Sequence, residues 1–383
     1  MNQQVFKSVS ELDELIDSFR DAIEGDPCLH PKGICGFDGF IDSFIKMRSP
    51  STMTEFGSHV ALAAGISMSC SVEHQADKFG GNGPLLASAL NDIFSGKIDL
   101  CYIGSMGEEE VLPIYQAALA EKTTGLYTLG EPAHSDCLEF SDGKIMLSDL
   151  RQCEAITWER LLQRVGEEQL DRLLRETDFI GAVNWGKLIH AGTIWRNLAR
   201  RLGQLGREAK SVVCFMDLAE FEQRPRQDRE ALLEIIGEVT AQCQSILSLN
   251  LKEAWQMGET IGCDFVGKKA PEDVLELAQT LRERIAVDRI VIHPNDGAAI
   301  AGSEQSIYLP GPFCSDPLIS IGAGDNFGAG VLAATLRGLG DPGVLLAGVA
   351  ASGHFVRSGR SASWADMNAL LDNWRRGDLA ERL

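Results

Sequence analysis

The chain has 383 residues, 44% of them hydrophobic, which is enough for one large α/β domain with an appendage or for two ordinary domains. Its 35 basic and 55 acidic side chains leave a net charge of −20, which argues against a broad nucleic-acid or anionic-membrane surface. No apolar run reaches the ~18 residues of a membrane span, the N-terminus is amphipathic and acidic rather than signal-like, and the ten cysteines contain no CxxC pair; a soluble, cytoplasmic protein with reduced core thiols is expected.

In chain order, Ser10 and Asp13 have the spacing of a capping box, and Leu12, Leu15, Ile16, Phe19 and Ile23 recur at helical spacing, so a docked helix is expected to end near Gly25. Gly33 to Phe40 reads as a buried strand whose end carries Asp38 and Asp42. From Ser43 to Asp77 the periodicity fades, as in a loop-rich insertion or lid. Lys78-Phe79-Gly80-Gly81-Asn82-Gly83-Pro84 is a glycine turn that opens a helix with proline in its first turn. A strand over Ile98 to Ile103 and a helix over Glu108 to Lys122 follow. Cys137 to Leu147 then reads as a hairpin turning at Ser141-Asp142-Gly143, and the spacing predicts a small separate sheet with the 43–77 region.

Beyond a helical stretch from Trp158 to Glu176, strands near Phe179–Val183, Val212–Met216, Ser245–Leu249 and Ile290–His293 alternate with helices, the pattern of a mostly parallel sheet covered on both faces. Ligands of such sheets bind beyond the carboxyl ends of the strands. Just there stand Asn184 and Lys187, the pair Asn250 and Glu253, and the segment His293-Pro294-Asn295-Asp296-Gly297. Asn250 with Glu253 is also the spacing of a capping box.

Leu318 to Ile321 reads as a short buried strand, followed by Gly322-Ala323-Gly324-Asp325 at the start of a helix running to Leu336. Backbone N–H groups at a glycine-led helix start attract an anion, while Asp325 beside them suits removal of a proton from a group attacking a held phosphoryl. Gly322, Gly324 and Gly328 give GxGxxxG, which is not the dinucleotide spacing, so a dehydrogenase is disfavoured. Small residues here also suit a close helix crossing.

Together these residues resemble the PfkB carbohydrate kinase family, the ribokinase-like sugar and nucleoside kinases. An aspartate after the first strand, the GGN turn, the NxxE pair and the GAGD turn occur in the family's order. The resemblance implies a ribokinase-like α/β fold with a mostly parallel central sheet flanked by helices and a small β-sheet lid. Residues 1–42, 78–124 and 150–383 would form the large domain, and 43–77 with 125–149 the lid, which would exclude water and could pair with a second copy. It implies ATP-dependent phosphorylation of a sugar-like hydroxyl, with Asp325 as base and the backbone of Gly322, Ala323 and Gly324 as anion hole. Asp42, Asp38, Gly80, Gly81, Asn82 and Asn184 would hold the substrate. Asn250 and Glu253 would organise phosphates and Mg2+ through water, and Asn295 and Gly297 would contact nucleotide. Two departures from the family pattern stand out, Ile319-Ser320-Ile321 before GAGD and His293 to Gly297 in place of a Thr-x-Gly loop. They keep open a non-catalytic sugar or nucleotide sensor, as the substrate class keeps open a nucleoside kinase.

Overall fold

The computed structural model describes residues 2–25 and 29–383. Its strands are β1 Asn2–Val5, β2 Lys32–Phe37, β3 Phe40–Ser49, β4 Ser71–Gly80, β5 Asp99–Gly104, β6 Gly125–Thr128, β7 Ala133–Phe140, β8 Gly143–Asp149, β9 Phe179–Ala182, β10 Val213–Asp217, β11 Gln244–Asn250, β12 Arg289–His293, β13 Gly297–Ala301 and β14 Gln305–Pro310. Ten form one sheet in the order β1-β14-β13-β12-β11-β10-β9-β2-β5-β6, and four form a smaller one in the order β4-β3-β7-β8. In the large sheet β13 alone runs against its neighbours.

The central strands are apolar on both faces because helices cover both. Ile34, Cys214, Leu247 and Ile290 enter one core, and the alternate residues Cys35, Phe215, Ile246 and Val291 enter the other. The first core is closed by helices including Ala191–Gln204, Leu251–Thr260 and Pro271–Arg284, the second by Asp13–Glu24, Asn82–Ile93, Ala323–Leu336 and Asp341–Ser358. Helices Ala323–Leu336 and Asp341–Ser358 cross so closely that a Cβ on Gly330 would lie 2.4 Å from the Ala347 carbonyl oxygen. The small residues after Asp325 therefore do serve the crossing. No disulfide joins the described cysteines, and no described helix is long and apolar enough to cross a membrane.

Several expectations are corrected. The first helix is Asp13–Glu24 with Leu12 at its N-cap, and no side chain caps it, so Ser10 and Asp13 do not form a capping box. The region read as a loop-rich insertion contains β3, β4 and the helix Met53–Leu62, capped by Thr52. Its periodicity is faint because most of β4 is exposed. Residues 125–128, expected in the lid, are the edge strand β6 of the large sheet, paired with β5. Helix 158–176 is broken at Gly166, which adopts φ 83°. Leu318 to Ile321 is neither a strand nor buried. Leu318 is 56% exposed, and with β1 and β6 occupying the two edges no sheet position is left for it. The antiparallel β13 and β14 and the N-terminal β1 were not anticipated.

Candidate active site

Five neighbouring parallel strands end on one edge of the large sheet, and each delivers a polar side chain there. In spatial order they are His293 ending β12, Asn250 ending β11, Asp217 ending β10, Asn184 just after β9 and Asp38 just after β2. At the ~4.8 Å spacing of strands this row spans roughly 19 Å, long enough for a triphosphate and a small acceptor side by side. Asp217 was missed in the sequence, where an isolated acid at a strand end looks like a solvated turn residue; only the register groups it with the others.

Asp38 is fully buried, and its carboxylate accepts hydrogen bonds from Asn82 N (2.9 Å), Gly83 N (2.8 Å) and Asn184 Nδ2 (2.5 Å). It caps the helix Asn82–Ile93, whose own N-cap Gly81 has no side chain to do so. Its oxygens are thus spent on scaffolding rather than turned to a ligand. Asn184, with φ 61°, is 98% buried, and while its amide nitrogen serves Asp38 its Oδ1 has no partner. Asp42 is not at a strand end but inside β3 of the small sheet, buried beside Ser135, where desolvation and the Asp38 charge raise its pKa to about 6. A Cβ on Gly80 would lie 2.1 Å from Asp42 Oδ2, so any side chain there would displace the Asp42 carboxylate.

The helix Ala323–Leu336 starts at Gly322, which holds φ 91°, and no side chain caps it. Asp325 in its first turn accepts a 2.9 Å hydrogen bond from Asn82 Nδ2, so the GGN and GAGD turns meet. Desolvation, and then the charge of Asp217, push Asp325 well above the usual carboxylate range, and the same two causes act on Glu253. Asn250 and Glu253 form a full capping box: Glu253 N donates to Asn250 Oδ1 (2.9 Å), and Asn250 N (2.9 Å) and Nδ2 (2.7 Å) donate to the Glu253 carboxylate.

A cavity of about 590 Å3 is lined by Asp42, Gly81, Asn82, Asn184, Lys187, Asp217, Asn250, Glu253, Gly322 and Asp325, among others. A second, of about 360 Å3, is lined by Asn295, Gly297, Ala323, Phe313 and Val356, among others. Asn250, His293, Ser320 and Gly324 border both. Neither lining includes Asp38 or Gly80. His293 stacks on Phe327 with ring centroids 4.5 Å apart, and desolvation lowers its pKa to about 4, so it is neutral at pH 7.

The profile of the prokaryotic ketohexokinase family matches residues 25–374. The chain belongs to this family. It is accordingly a carbohydrate kinase with the ribokinase-like fold, a mostly parallel sheet between helices plus a smaller four-stranded sheet. A ketohexokinase of Haloferax volcanii is 23% identical over 380 residues, covering 96% of each chain. Among solved structures, Arabidopsis thaliana ribokinase complexed with ribose and ATP superposes with a TM-score of 0.63 at 16% identity, over 90% of this chain and 98% of that one. Thermotoga maritima ribokinase gives 0.63 at 14% identity, over 90% and 100%. This prokaryotic ketohexokinase family member also offers an internal probe of the Asp325 environment. Asp217→Asn removes a like charge and should move the acid limb of the pH–kcat/KM profile to lower pH, since the ionised form of Asp325 then costs less. An unmoved limb would show that the two carboxyls do not sense each other.

Proposed function

We propose that the protein transfers the γ-phosphoryl group of ATP to a primary hydroxyl of a ketohexose. The observation that carries this reading is the meeting of Asp325 with Asn82 at 2.9 Å on the wall of the cavity that Asp42 and Asn184 also line. Asp42 supplies acceptor lone pairs for sugar hydroxyls, Asn184 Oδ1 is an unpartnered acceptor, and the backbone at Gly81 leaves room for a polyhydroxylated ligand. Asp325 takes the hydroxyl proton as the oxygen bonds to the γ-phosphorus. The bond to the β-phosphate oxygen breaks, and ADP leaves. Charge growing on the phosphoryl oxygens is met by the uncapped helix start at Gly322, Ala323 and Gly324.

The smaller cavity, with Asn295 and Gly297 on its rim and Phe313 and Val356 as apolar walls, suits the nucleotide. The Arabidopsis ribokinase structure contains ribose and ATP, and a structure described as an E. coli ribokinase II contains ATP and magnesium. Mg2+ fits here as well, because Asp42, Asp217, Glu220, Glu253 and Asp325 face the larger cavity, against Lys187 alone of the described lysines and arginines. When bound, it would neutralise phosphate charge, held near Asn250 and Glu253 through water because the capping box engages both side chains. The small sheet, with residues 50–70, is the lid of this reading. Its exposed Val72 and Leu147 support pairing of two copies, and the net charge of −20 supports no nucleic-acid partner.

The test is a coupled ADP-release assay across fructose, other ketohexoses, aldoses, ribose and nucleosides, with product identified by mass. Ketohexoses are expected to give the highest kcat/KM. A nucleoside or an aldopentose at the top of the ranking would replace the substrate class, and sugar binding without product would favour the sensor.

A further inference from the structure

The seam between the two cavities is where a phosphoryl group must pass from nucleotide to acceptor. Ser320 borders both cavities, and its hydroxyl accepts a 2.9 Å hydrogen bond from the Lys144 ammonium. Lys144 is the second residue of β8, on the smaller sheet and far in sequence from the helix that Ser320 precedes. Its neighbour across the hairpin is Glu139, an obvious partner for a surface lysine. The hydrogen bond nevertheless goes to Ser320, and Glu139 acts on the ammonium only through its charge. Lys144 itself is exposed and lines neither cavity, so the Ser320 contact is what places its ammonium beside the seam, where partial desolvation lowers its pKa.

Charge around the seam makes this contact consequential. The larger cavity is lined by five carboxylates and by Lys187, whose ammonium already lies 3.8 Å from Glu220. Among the described residues, no lysine or arginine lines the smaller cavity. A polyphosphate brought against these carboxylates is repelled unless cations accompany it, and the large sheet supplies almost none at the crossing point.

We propose that Lys144 is the lid's contribution to phosphoryl transfer: its ammonium, placed at the seam by the hairpin of β7 and β8, contacts the γ-phosphoryl group and stabilises the charge that develops on it. This assignment rests on the kinase reading of the same site. It also gives lid seating a chemical meaning, because a displaced small sheet would withdraw the cation along with its shielding. The alternative is a latch, in which Lys144 only tethers the small sheet to the loop before Gly322.

Calorimetric binding separates the two, because ADP lacks the γ-phosphate and the imido analogue of ATP has it. Lys144→Met should weaken the imido analogue about tenfold while changing ADP less than about twofold, and should lower kcat with fructose by about a hundredfold with little change in KM. Lys144→Arg should restore most of both losses. Glu139→Gln, outside the site, should behave as wild type. Equal weakening of both nucleotides, failure of arginine to rescue, or kcat within about twofold of wild type would overturn the proposal. Wild-type protein that binds nucleotide but yields no product with any sugar would instead remove the kinase reading, and this inference with it.

Discussion

Asp325→Asn is expected to bind fructose within a few-fold of wild type and to lose about 10²- to 10⁴-fold in kcat, the usual range for removing a positioned base. The substitution is isosteric, and the asparagine oxygen can still accept the hydrogen bond from Asn82 Nδ2, so the GGN and GAGD turns should stay together. What disappears is the group that can take the hydroxyl proton. Calorimetry for sugar affinity and single-turnover phosphoryl transfer for chemistry separate these effects. Near-normal turnover would sink the assignment of Asp325 as base. A second readout follows from electrostatics. Desolvation and Asp217 raise the carboxyl's pKa in the folded protein above its unfolded value, so the folded state binds the proton more tightly. Stability is therefore lost as pH rises from the ordinary carboxylate range through the raised value. Asn carries no such penalty. The variant should melt above wild type at pH 8, by an increment on the order of 1 kcal/mol, and the gap should close as the pH is lowered toward 4.

Asp38→Ala should be the more damaging change to the fold. It removes one buried acceptor and strands three donors at once, Asn82 N, Gly83 N and Asn184 Nδ2. At about 1–3 kcal/mol for each unsatisfied buried group, a loss of roughly 3 kcal/mol or more in the denaturant midpoint analysis is expected. Acceptor KM should rise as well, because Asn82 and Asn184 both take their positions from this carboxylate. A residue that merely bound sugar would weaken binding without destabilising the apo-protein. A variant within about 1 kcal/mol of wild type would therefore return Asp38 to the substrate.

These two aspartates show what could be read from the sequence and what could not. The apolar runs ending at Val183, Met216, Leu249 and His293 announced parallel strands, because a sheet covered on both faces needs continuous hydrophobicity; the strands lie within a residue or two of those limits. The Asp142-Gly143 turn likewise fixed the β7–β8 hairpin through local backbone chemistry alone. Asp325 was legible because its glycines, its helix and its charge are neighbours in sequence. Asp38 and Asp42 were not separable, since two acids four residues apart look alike until the chain leaves one sheet for the other between them. Asp217 and Lys144 draw their significance from partners more than 100 residues away, and no local pattern carries that information. Leu318 to Ile321 misled for the opposite reason: apolar composition was read as burial, yet Leu318 is exposed, and its backbone N–H donates to the Val356 carbonyl rather than to a sheet neighbour.

The outermost strand of the large sheet has a consequence for how the chain comes together during synthesis. β1 pairs with β14 in the register Asn2 with Gln305 through Val5 with Tyr308, so a strand made some 300 residues earlier waits for β14. Until the ribosome has passed residue 310, the opening segment has no partner, and afterwards β14 remains an open sheet edge until that segment arrives. Closing a loop of some 300 residues costs only slightly more entropy than closing a much shorter one, since the cost grows with the logarithm of length. The seam is therefore affordable once folded but late to form, and the newly made protein is most exposed to edge-to-edge association in that interval.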